Sequence, residues 1–336
     1  MLKKKMNLRD FNTFGIDVST SSFIEIKNEK QASELLSSGK LNPSECLVIG
    51  GGSNILFTED FNGTVLHPVF NNISIVARGQ DKVFISAEAG VEWDKLVSWA
   101  VNMGMGGIEN LSWIPGHAGA APIQNIGAYG TEVADTITKV RAISLEDGSI
   151  REFTREECGF GYRNSIFKNE LKNKYLITTL FFELTRNPSI FNLSYGDLEK
   201  RVIKKGDINL FNIRETVIET RMEKLPDPSE TGNAGSFFKN PVTDKSRANS
   251  IIDKFPDMPS WHAGGEEIKI PAAWLIEKAG FKGYRSGNAG VHPMQPLVLV
   301  NHGNATGKEI LELAIKIRES VLDRFGISLE FEVNVV

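Results

Sequence analysis

The sequence predicts an α+β protein, because strand patterns alternate with helical patterns along the chain. Residues 21–27 (SSFIEIK) and 82–90 (KVFISAEAG) have the composition and alternation of strands. Asp147-Gly148 marks a hairpin turn between two further strands. Residues 29–39 and 92–104 space their apolar side chains as helices do, and each segment ends at a glycine. Separate strands and helices of this kind indicate an α+β architecture.

A second domain is predicted for the C-terminal third of the chain. Residues 221–235 (RMEKLPDPSETGNAG) combine two prolines with a polar run, which is typical of a domain junction. We therefore expect one domain over residues 1–220, with lobes at roughly 1–70 and 71–220, and another over residues 221–336. The final strand of the second domain is expected to return to the active site.

Three helices and a closing strand are expected beyond this junction. The helices are predicted near residues 245–254, 271–279 and 307–325, and Thr306 with Glu309 forms a capping box before the last one. Apolar and polar residues alternate from Ile327 to Val335 (ISLEFEVNV), which predicts a half-buried strand.

Composition and charge exclude several classes of protein. The net charge is −4 and no basic block follows Lys3–Lys5, which argues against nucleic acid as a partner. The two cysteines form no CxxC pair, and the five histidines have no HExxH spacing, so neither a disulfide framework nor a metal site is expected. No apolar run reaches the length of about 18 residues that a membrane helix needs. We expect a cytoplasmic protein without a membrane partner.

Two glycine-rich loops indicate a bound ligand. Gly50, Gly51 and Gly52 with Ser53 and Asn54 follow an apolar strand, and such a turn is either a tight structural turn or an anion-binding nest. It lacks the GxGxxG fingerprint of dinucleotide-binding Rossmann domains. Residues 114–130 (IPGHAGAAPIQNIGAYG) form a long loop dense in glycine and alanine, which favours a function over a plain connection. Together the two loops favour a bound cofactor.

One serine lies in a run of small residues. Ser236 occurs in TGNAGSFFKNP (residues 231–241), where Gly232, Asn233 and Gly235 disfavour a buried strand. The pattern indicates a backbone that lies close to another group, with a hydroxyl directed at it.

These residues together resemble the UDP-N-acetylenolpyruvoylglucosamine reductase family. The resemblance rests on seven motifs in order, which span almost the whole chain: NTFGID (12–17), GGGSN (50–54), IPG…GAAPIQNIGAYG (114–130), GYRNSIFK (161–168), LSYGDL (193–198), KLPDP (224–228) and GNAGSFFKNP (232–241). The YGDL segment is similar to the type I branch, which has an additional tyrosine loop.

The resemblance implies a fold, a cofactor and a reaction. It implies a two-lobed FAD-binding domain of the vanillyl-alcohol-oxidase/PCMH type, followed by a C-terminal α+β substrate-binding domain. FAD is expected to bind non-covalently, and NADPH to reduce it and leave. UDP-N-acetylenolpyruvylglucosamine would then be reduced to UDP-N-acetylmuramate for peptidoglycan synthesis. A monomer is expected.

The resemblance also implies roles for individual residues. Ser236 matches the proton donor, Arg163 the arginine at the substrate carboxylate, and Glu332 the catalytic glutamate, with Glu330 as the alternative. Further positions match cofactor contacts, namely Gly50, Gly51, Gly52, Ser53, Asn54, Pro115, Gly116, Ile126, Gly127, Ala128 and Arg221. Others match contacts to the UDP diphosphate, namely Tyr195, Lys224, Asn240 and Gln295. His117 departs from the small hydroxylic residue expected there, and it either contacts the cofactor or points to solvent.

Two other functions are compatible with the glycine-rich loops. One is a flavin-dependent alcohol oxidase of the same fold, which would have no use for Arg163, Ser236 and Glu332. The other is a non-catalytic FAD- or nucleotide-binding protein, whose flavin NADPH would not reduce.

Overall fold

The computed structural model describes residues 2–336, with side chains from residue 5 onward, and its chain forms two compact units. Unit 1 comprises the residues up to Met6, Thr20–Gly52 and Asn62–Glu223. Unit 2 comprises Asn7–Ser19, Ser53–Phe61 and Lys224–Val336. Each unit is therefore discontinuous along the chain. The predicted limits of a cofactor domain and a substrate domain stay a prediction.

The described chain contains α-helices, short 3-10 turns and strands. The α-helices are α1 (Glu29–Ser37), α2 (Trp93–Asn102), α3 (Leu198–Lys205), α4 (Leu210–Lys224), α5 (Lys245–Ile252), α6 (Ala272–Lys278) and α7 (Gly307–Phe325). The strands are β1 (Leu2–Asn7), β2 (Ser19–Ile26), β3 (Cys46–Val48), β4 (Ile55–Leu56), β5 (Phe61–Pro68), β6 (Ile73–Arg78), β7 (Lys82–Glu88), β8 (Met105–Gly106), β9 (Gly127–Ala128), β10 (Thr131–Glu132), β11 (Ile137–Ser144), β12 (Ile150–Thr154), β13 (Tyr175–Arg186), β14 (Gly232–Ser236), β15 (Val242–Asp244), β16 (Trp261–Gly264), β17 (Glu267–Lys269), β18 (Arg285–Ser286), β19 (Ala289–Val291), β20 (Val298–Asn301) and β21 (Asn334–Val335).

Unit 1 is built around two sheets. One has the strand order β1-β2-β5-β3, and the other has the order β12-β11-β13-β7-β6 with β8 attached to β13. The predicted hairpin is confirmed, since β11 pairs antiparallel with β12 and Gly148 has a φ of 72°. Helix α2 buries Trp93, Leu96 and Val97 in the same core cluster as the interior side chains of β7 and β13. The long segment after α2 contains only 3-10 turns and two-residue strands, as expected.

Helices α3 and α4 of unit 1 were not predicted. Their shared cluster consists of Leu198, Val202, Ile213 and Val217 with Leu193. Helix α4 also buries two threonines, and it exposes apolar side chains. Its apolar side chains therefore do not mark one face, so the sequence period was hidden.

Unit 2 contains three short sheets and the last three helices. The sheets have the orders β14-β20-β19-β18, β15-β17-β16 and β21-β4. The three predicted helices are confirmed as α5, α6 and α7, and the capping box of Thr306 and Glu309 is formed. Three aromatic rings join the helices of this unit: Phe255 just after α5, Trp274 within α6 and Phe325 at the end of α7. Their ring centroids lie 5.3–5.8 Å apart.

Two expectations for unit 2 are corrected. The glycine-rich run includes a strand, Gly232–Ser236. The strand accepts Gly232 because the backbone of Phe14 lies so close that a Cβ would meet its carbonyl oxygen at 2.3 Å. The closing segment is extended, with Ile327, Leu329 and Val333 buried, but only Asn334–Val335 is a regular strand. That strand pairs in parallel with β4, and before it a single bridge joins Phe331 to Phe238.

Candidate active site

In unit 1 the two glycine-rich loops pack directly against each other. A Cβ added to Gly51 would lie 3.0 Å from the Cα of Gly116, and one added to Gly50 would lie 3.2 Å from the Cβ of His117. Gly52 has a φ of 61°, in the left-handed region that favours glycine. Two backbones thus approach at a distance that larger residues would prevent.

The His117 ring lies over the first glycine-rich loop. Its Nδ1 is buried without a hydrogen-bond partner among the residues that the structure describes. Burial lowers the pKa of His117, and His67, whose ring centroid is 6.0 Å away, lowers it further. The imidazole is therefore neutral near pH 7. The ring thus contacts this loop, and its contact with the cofactor stays a prediction.

Two residues of the second loop, and Trp113 just before it, have a strained backbone conformation. Trp113, Asn125 and Tyr129 all have φ between 45° and 57°, a region that costs non-glycine residues about 1–3 kcal/mol each. Asn125 is fully buried, and its side chain bonds to Glu132, to the Gly161 carbonyl and to the Ala134 N–H. Its hydrogen bonds compensate for the strain.

Arg163 is bound to the second loop. Its Nη2 donates to the Gly127 carbonyl at 2.5 Å, and its Nη1 donates to the Asn125 carbonyl at 3.5 Å. Its own φ is 53°, within a narrow turn in which Gly161 and Asn164 exchange both backbone hydrogen bonds. The guanidinium is therefore oriented by the segment that carries the predicted cofactor residues Ile126, Gly127 and Ala128.

Arg221, on α4, is a partly buried cation without a carboxylate partner. Its Nε donates to the Trp113 carbonyl at 3.1 Å, and it forms no ion pair with any residue that the structure describes. Burial lowers the pKa of Arg221. A guanidinium in this situation gains from an anionic ligand.

Tyr195 lies in unit 1 with an exposed side chain. Its ring meets that of Tyr129 edge-on at 5.6 Å. The buried Asn110 holds the two segments that carry these rings, since its Nδ2 donates to the carbonyls of Tyr129 and Asn192. The loop is thereby attached at its base while the tyrosine stays accessible, as a lid over a ligand requires.

Ser236 is in unit 2, at the end of β14. This strand pairs with β20 through a bulge between Asn233 and Ser236, and Gly235 in the bulge has a φ of 67°. The Asn233 side chain accepts a hydrogen bond from the Gly235 N–H at 2.9 Å, which fixes the bulge. Within the described part of the chain the Ser236 hydroxyl has no hydrogen-bond partner. It is available to a ligand.

Glu332 lies beside this strand in unit 2. Its N–H donates to the Phe237 carbonyl at 2.8 Å, and its carbonyl accepts from Asn54 Nδ2 at 3.2 Å. Glu330 differs, because its side chain is 74% exposed and pairs with Lys239 at 3.0 Å. Glu332, which is partly buried and held on both sides of its backbone, fits a site residue better than Glu330 does.

The remaining predicted residues divide between the units. Asn240 Oδ1 caps α6 by accepting from the Ala272 N–H at 2.9 Å, and Gln295 lies in the turn before β20. Lys224 is exposed at the end of α4. Pro115 is exposed in the second loop of unit 1. Unit 1 thus contains Gly50, Gly51, Gly52, Pro115, Gly116, Ile126, Gly127, Ala128, Arg163, Tyr195 and Arg221, and unit 2 contains Ser53, Asn54, Lys224, Ser236, Asn240, Gln295 and Glu332.

Sequence reasoning did not find the residues that orient these groups. Asp94, Asn110, Asn125 and Arg214 bond to the loops through polar side chains that single-sequence patterns do not distinguish from surface residues. One signal was present, because Arg214 and Arg221 are seven residues apart and therefore lie on one face of a helix.

Comparison with known proteins identifies the class of protein first. A family model described as an FAD binding domain matches residues 20–154, which include both glycine-rich loops. The chain is therefore an α+β flavoprotein with an FAD-binding domain. The features of unit 1 fit this cofactor, since closely packed glycines, an unpartnered buried nitrogen of His117 and an unpaired Arg221 suit an extended anionic ligand.

The family follows from the rest of the chain. A model described as the C-terminal domain of UDP-N-acetylenolpyruvoylglucosamine reductase matches residues 227–336. A reductase with this name from Flavobacterium johnsoniae is 43% identical, and the match covers 100% of this chain and 99% of that protein. A reductase with the same name from Pseudomonas aeruginosa is also 43% identical, and the match covers 99% of this chain and 98% of that protein. The chain belongs to the UDP-N-acetylenolpyruvoylglucosamine reductase family. The crystal structure of the Thermus caldophilus enzyme, at 23% identity, has the same fold, with a TM-score of 0.71 over 100% of this chain and 99% of that one.

Other kinds of site are not found in residues 2–336. No group of three or more potential metal ligands occurs among them, and Cys46 and Cys158 are buried free thiols. Burial raises the pKa of Cys158 to about 12. No helix in the described chain has the length and apolar character to span a membrane.

Proposed function

We propose that this protein reduces UDP-N-acetylenolpyruvylglucosamine to UDP-N-acetylmuramate, a step of peptidoglycan precursor synthesis, with NADPH as the source of the hydride. The observation that carries the proposal is the 43% identity to reductases of this name over the whole chain. FAD, when bound, supplies the hydride-transfer chemistry. The protein must bind the substrate, stabilise the developing charge and provide one proton.

Arg163 is proposed to bind the substrate carboxylate. Hydride addition to an enol ether places negative charge on the carbon beside the carboxylate, and this charge spreads into the carboxylate oxygens. A guanidinium stabilises such charge best when it is already oriented. The hydrogen bond from Arg163 to the Gly127 carbonyl supports this role, because it fixes the guanidinium before the substrate arrives.

Ser236 is proposed to donate the proton to the carbon. The unpartnered hydroxyl and the fixed bulge at Gly235 support the proposal, since the donor must face the ligand rather than the protein. A serine hydroxyl is a weak acid, so its developing alkoxide needs nearby donors.

Glu332 is proposed to hydrogen-bond the activated carboxylate, in its protonated form. Its partly buried position supports this role over Glu330, which is already paired with Lys239 in solvent. The cofactor contacts are proposed at the glycine-rich loops and Arg221.

The UDP diphosphate is proposed to contact Lys224, Tyr195, Asn240 and Gln295. Lys224 contributes charge, and the other three contribute hydrogen bonds. The free amide nitrogen of Asn240 supports its role, since only its oxygen is used within the protein. The exposed ring of Tyr195 is suited to close over the ligand.

We further propose that the protein is a cytoplasmic monomer. Two buried free thiols are typical of a reducing compartment, and both proposed substrates are small molecules. The monomer follows from the family resemblance, and sedimentation analysis of the FAD-loaded protein tests it.

An anaerobic absorbance titration tests the function. NADPH should bleach the flavin band near ~450 nm, and UDP-N-acetylenolpyruvylglucosamine should restore it without oxygen. If the band is bleached but the sugar nucleotide does not restore it, the proposed substrate is wrong. If an alcohol reduces the flavin and oxygen restores it without NADPH, the protein is an oxidase.

Ser236→Ala separates the two half-reactions. The variant should bind FAD and be reduced by NADPH at the normal rate, because neither step uses the hydroxyl. Reoxidation by the sugar nucleotide should slow by about 10²–10⁴-fold, the usual contribution of a proton donor. Ser250→Ala, which removes an exposed hydroxyl from α5, is the matched control. Normal reoxidation of the Ser236→Ala variant would show that Ser236 is not the proton donor.

A further inference from the structure

The first turn of α2 binds the second glycine-rich loop and the residues just before it at three points. The Trp93 N–H donates to the Gly116 carbonyl at 2.9 Å, and the Trp93 indole donates to the Leu111 carbonyl at 2.9 Å. Between these two points, Asp94 Oδ1 accepts from the Trp113 N–H at 2.5 Å. The start of the loop is therefore built on two consecutive residues of one helix.

Two arginines of helix α4 bind Asp94 and Trp113. Arg214 donates to both carboxylate oxygens of Asp94, at 2.7 and 2.6 Å. Arg221, two turns further along the helix, donates from Nε to the Trp113 carbonyl at 3.1 Å. The N–H and the carbonyl of Trp113 are thus both bound by side chains, and Asp94 connects the two helices.

Trp113 needs such support because of its backbone conformation. Its φ of 57° lies in the left-handed region, which a bulky residue adopts only when its surroundings enforce it. Glycine would adopt the same φ without this cost. The direction in which the chain leaves Trp113 determines where Pro115, Gly116 and His117 meet the first glycine-rich loop.

Of the two arginines of α4 near Trp113, Arg214 is the one that binds the Asp94 carboxylate. Burial raises the pKa of Asp94, but the hydrogen bonds from Arg214 and from the Trp113 N–H lower it by more, so its net pKa is below the usual value and it stays ionised. Both of its oxygens are occupied by Arg214. Arg221 lies beside the loop without a carboxylate of the described residues bound to its guanidinium, although the charge of Asp94 attracts it.

We propose that Asp94 is a positioning residue for cofactor binding, which holds Trp113 in its left-handed conformation beside Arg221, the cation expected to bind an anionic group of the cofactor. This inference deepens the proposed function and rests on its cofactor site alone. It assigns no contact between Asp94 and the cofactor or the substrate.

The test is FAD binding to the apo-protein, measured by calorimetry without NADPH or sugar nucleotide. Asp94→Ala should weaken FAD binding by about tenfold or more, the factor expected for loss of a charged hydrogen-bonded group. Trp113→Gly removes the strain that Asp94 compensates. In the Trp113→Gly background, Asp94→Ala should therefore raise the FAD dissociation constant less. The logarithm of this increase should be less than about half of that measured with Trp113 present. Equal effects in the two backgrounds would overturn the proposal, because the effect of Asp94 would then not depend on the strain at residue 113.

A matched control comes from a second bidentate pair in unit 1. Glu29, at the start of α1, binds Arg141 of β11 through both oxygens at 2.7 and 2.8 Å, and the sheet of β11 carries none of the proposed cofactor residues of the second loop. Glu29→Ala should lower the thermal midpoint of the apo-protein yet leave the FAD dissociation constant unchanged. If Glu29→Ala weakens FAD binding as much as Asp94→Ala does, the positioning role is refuted.

Asp94→Asn provides a variant of nearly the same shape, should Asp94→Ala not fold. It retains an oxygen that can accept from Trp113 but loses the ion pair with Arg214. FAD binding weaker than in the parent protein, with a smaller loss in the Trp113→Gly background, supports the proposal. Unchanged FAD binding overturns it. Failure of the sugar nucleotide to reoxidise the flavin would affect the proposed function and leave these binding results in place.

Discussion

Glu332→Ala should slow the sugar-nucleotide half-reaction, whereas Glu330→Ala should hardly change it. The Glu330 side chain is 74% exposed, and its pairing with Lys239 at 3.0 Å is open to water. Exposed pairs of this kind contribute about 0.2–1 kcal/mol, so the rate should change by less than about fivefold. Glu332 is partly buried, and its backbone is held by Phe237 and Asn54. Losing one preorganised donor to a developing anion slows catalysis by about 10²–10³-fold.

The assay is anaerobic single-turnover reoxidation of the NADPH-reduced flavin, followed at ~450 nm. It isolates the substrate step, and the preceding reduction step serves as an internal control in each variant. A slow Glu330 variant with a normal Glu332 variant would reverse the assignment. If both variants reoxidise normally, neither carboxyl stabilises the transition state, and the argument from burial is refuted.

Two further predictions concern stability. Gly232→Ala should lower the free energy of unfolding by about 1–3 kcal/mol, measured by urea denaturation, because the new Cβ would meet the Phe14 carbonyl oxygen at 2.3 Å; an unchanged midpoint would contradict this close approach. Burial and His67 lower the pKa of His117 in the folded protein. Between about pH 6.5, the usual value of an unfolded histidine, and this lowered pKa, the unfolded chain binds more protons than the folded one. The free energy of unfolding therefore falls as the pH falls through this range. His117→Gln should remove this part of the pH dependence, whereas His262→Gln, at an exposed position, should not.

The helices of unit 2 could be predicted because their signals are local. Thr306 and Glu309 form the capping box at the start of α7, and the apolar period continues to Phe325. A cap and a helical period depend on neighbouring residues alone, so one sequence contains the necessary information.

Strand β14 could not be predicted, because its residues suit a partner that is distant in sequence. Gly232 is required by the backbone of Phe14, and Gly235 by a bulge. Helix α4 was missed for another reason. Its buried Thr216 and Thr220 satisfy their hydroxyls with carbonyls one turn earlier, so polar residues occupy the inner face and hide the apolar period.

The site was predicted only in part from the residues themselves. The glycine-rich loops indicated a ligand, and the structure shows why they contain so little side-chain volume. The roles of Arg163, Ser236 and Glu332 came from the family resemblance and stay predictions. The supporting side chains, such as Asn110 and Asn125, could not be recognised, because their function lies in hydrogen bonds to backbone groups that are remote in sequence.

The parallel pairing of β21 with β4 has a consequence for synthesis on the ribosome. Asn334 and Val335 pair with Ile55 and Leu56, and the Val336 carbonyl accepts from the Thr58 N–H. Translation at 5–20 residues per second separates the two strands by a time on the order of tens of seconds. During this interval β4 emerges without its partner strand, so the nascent chain must keep an apolar edge from associating with other chains.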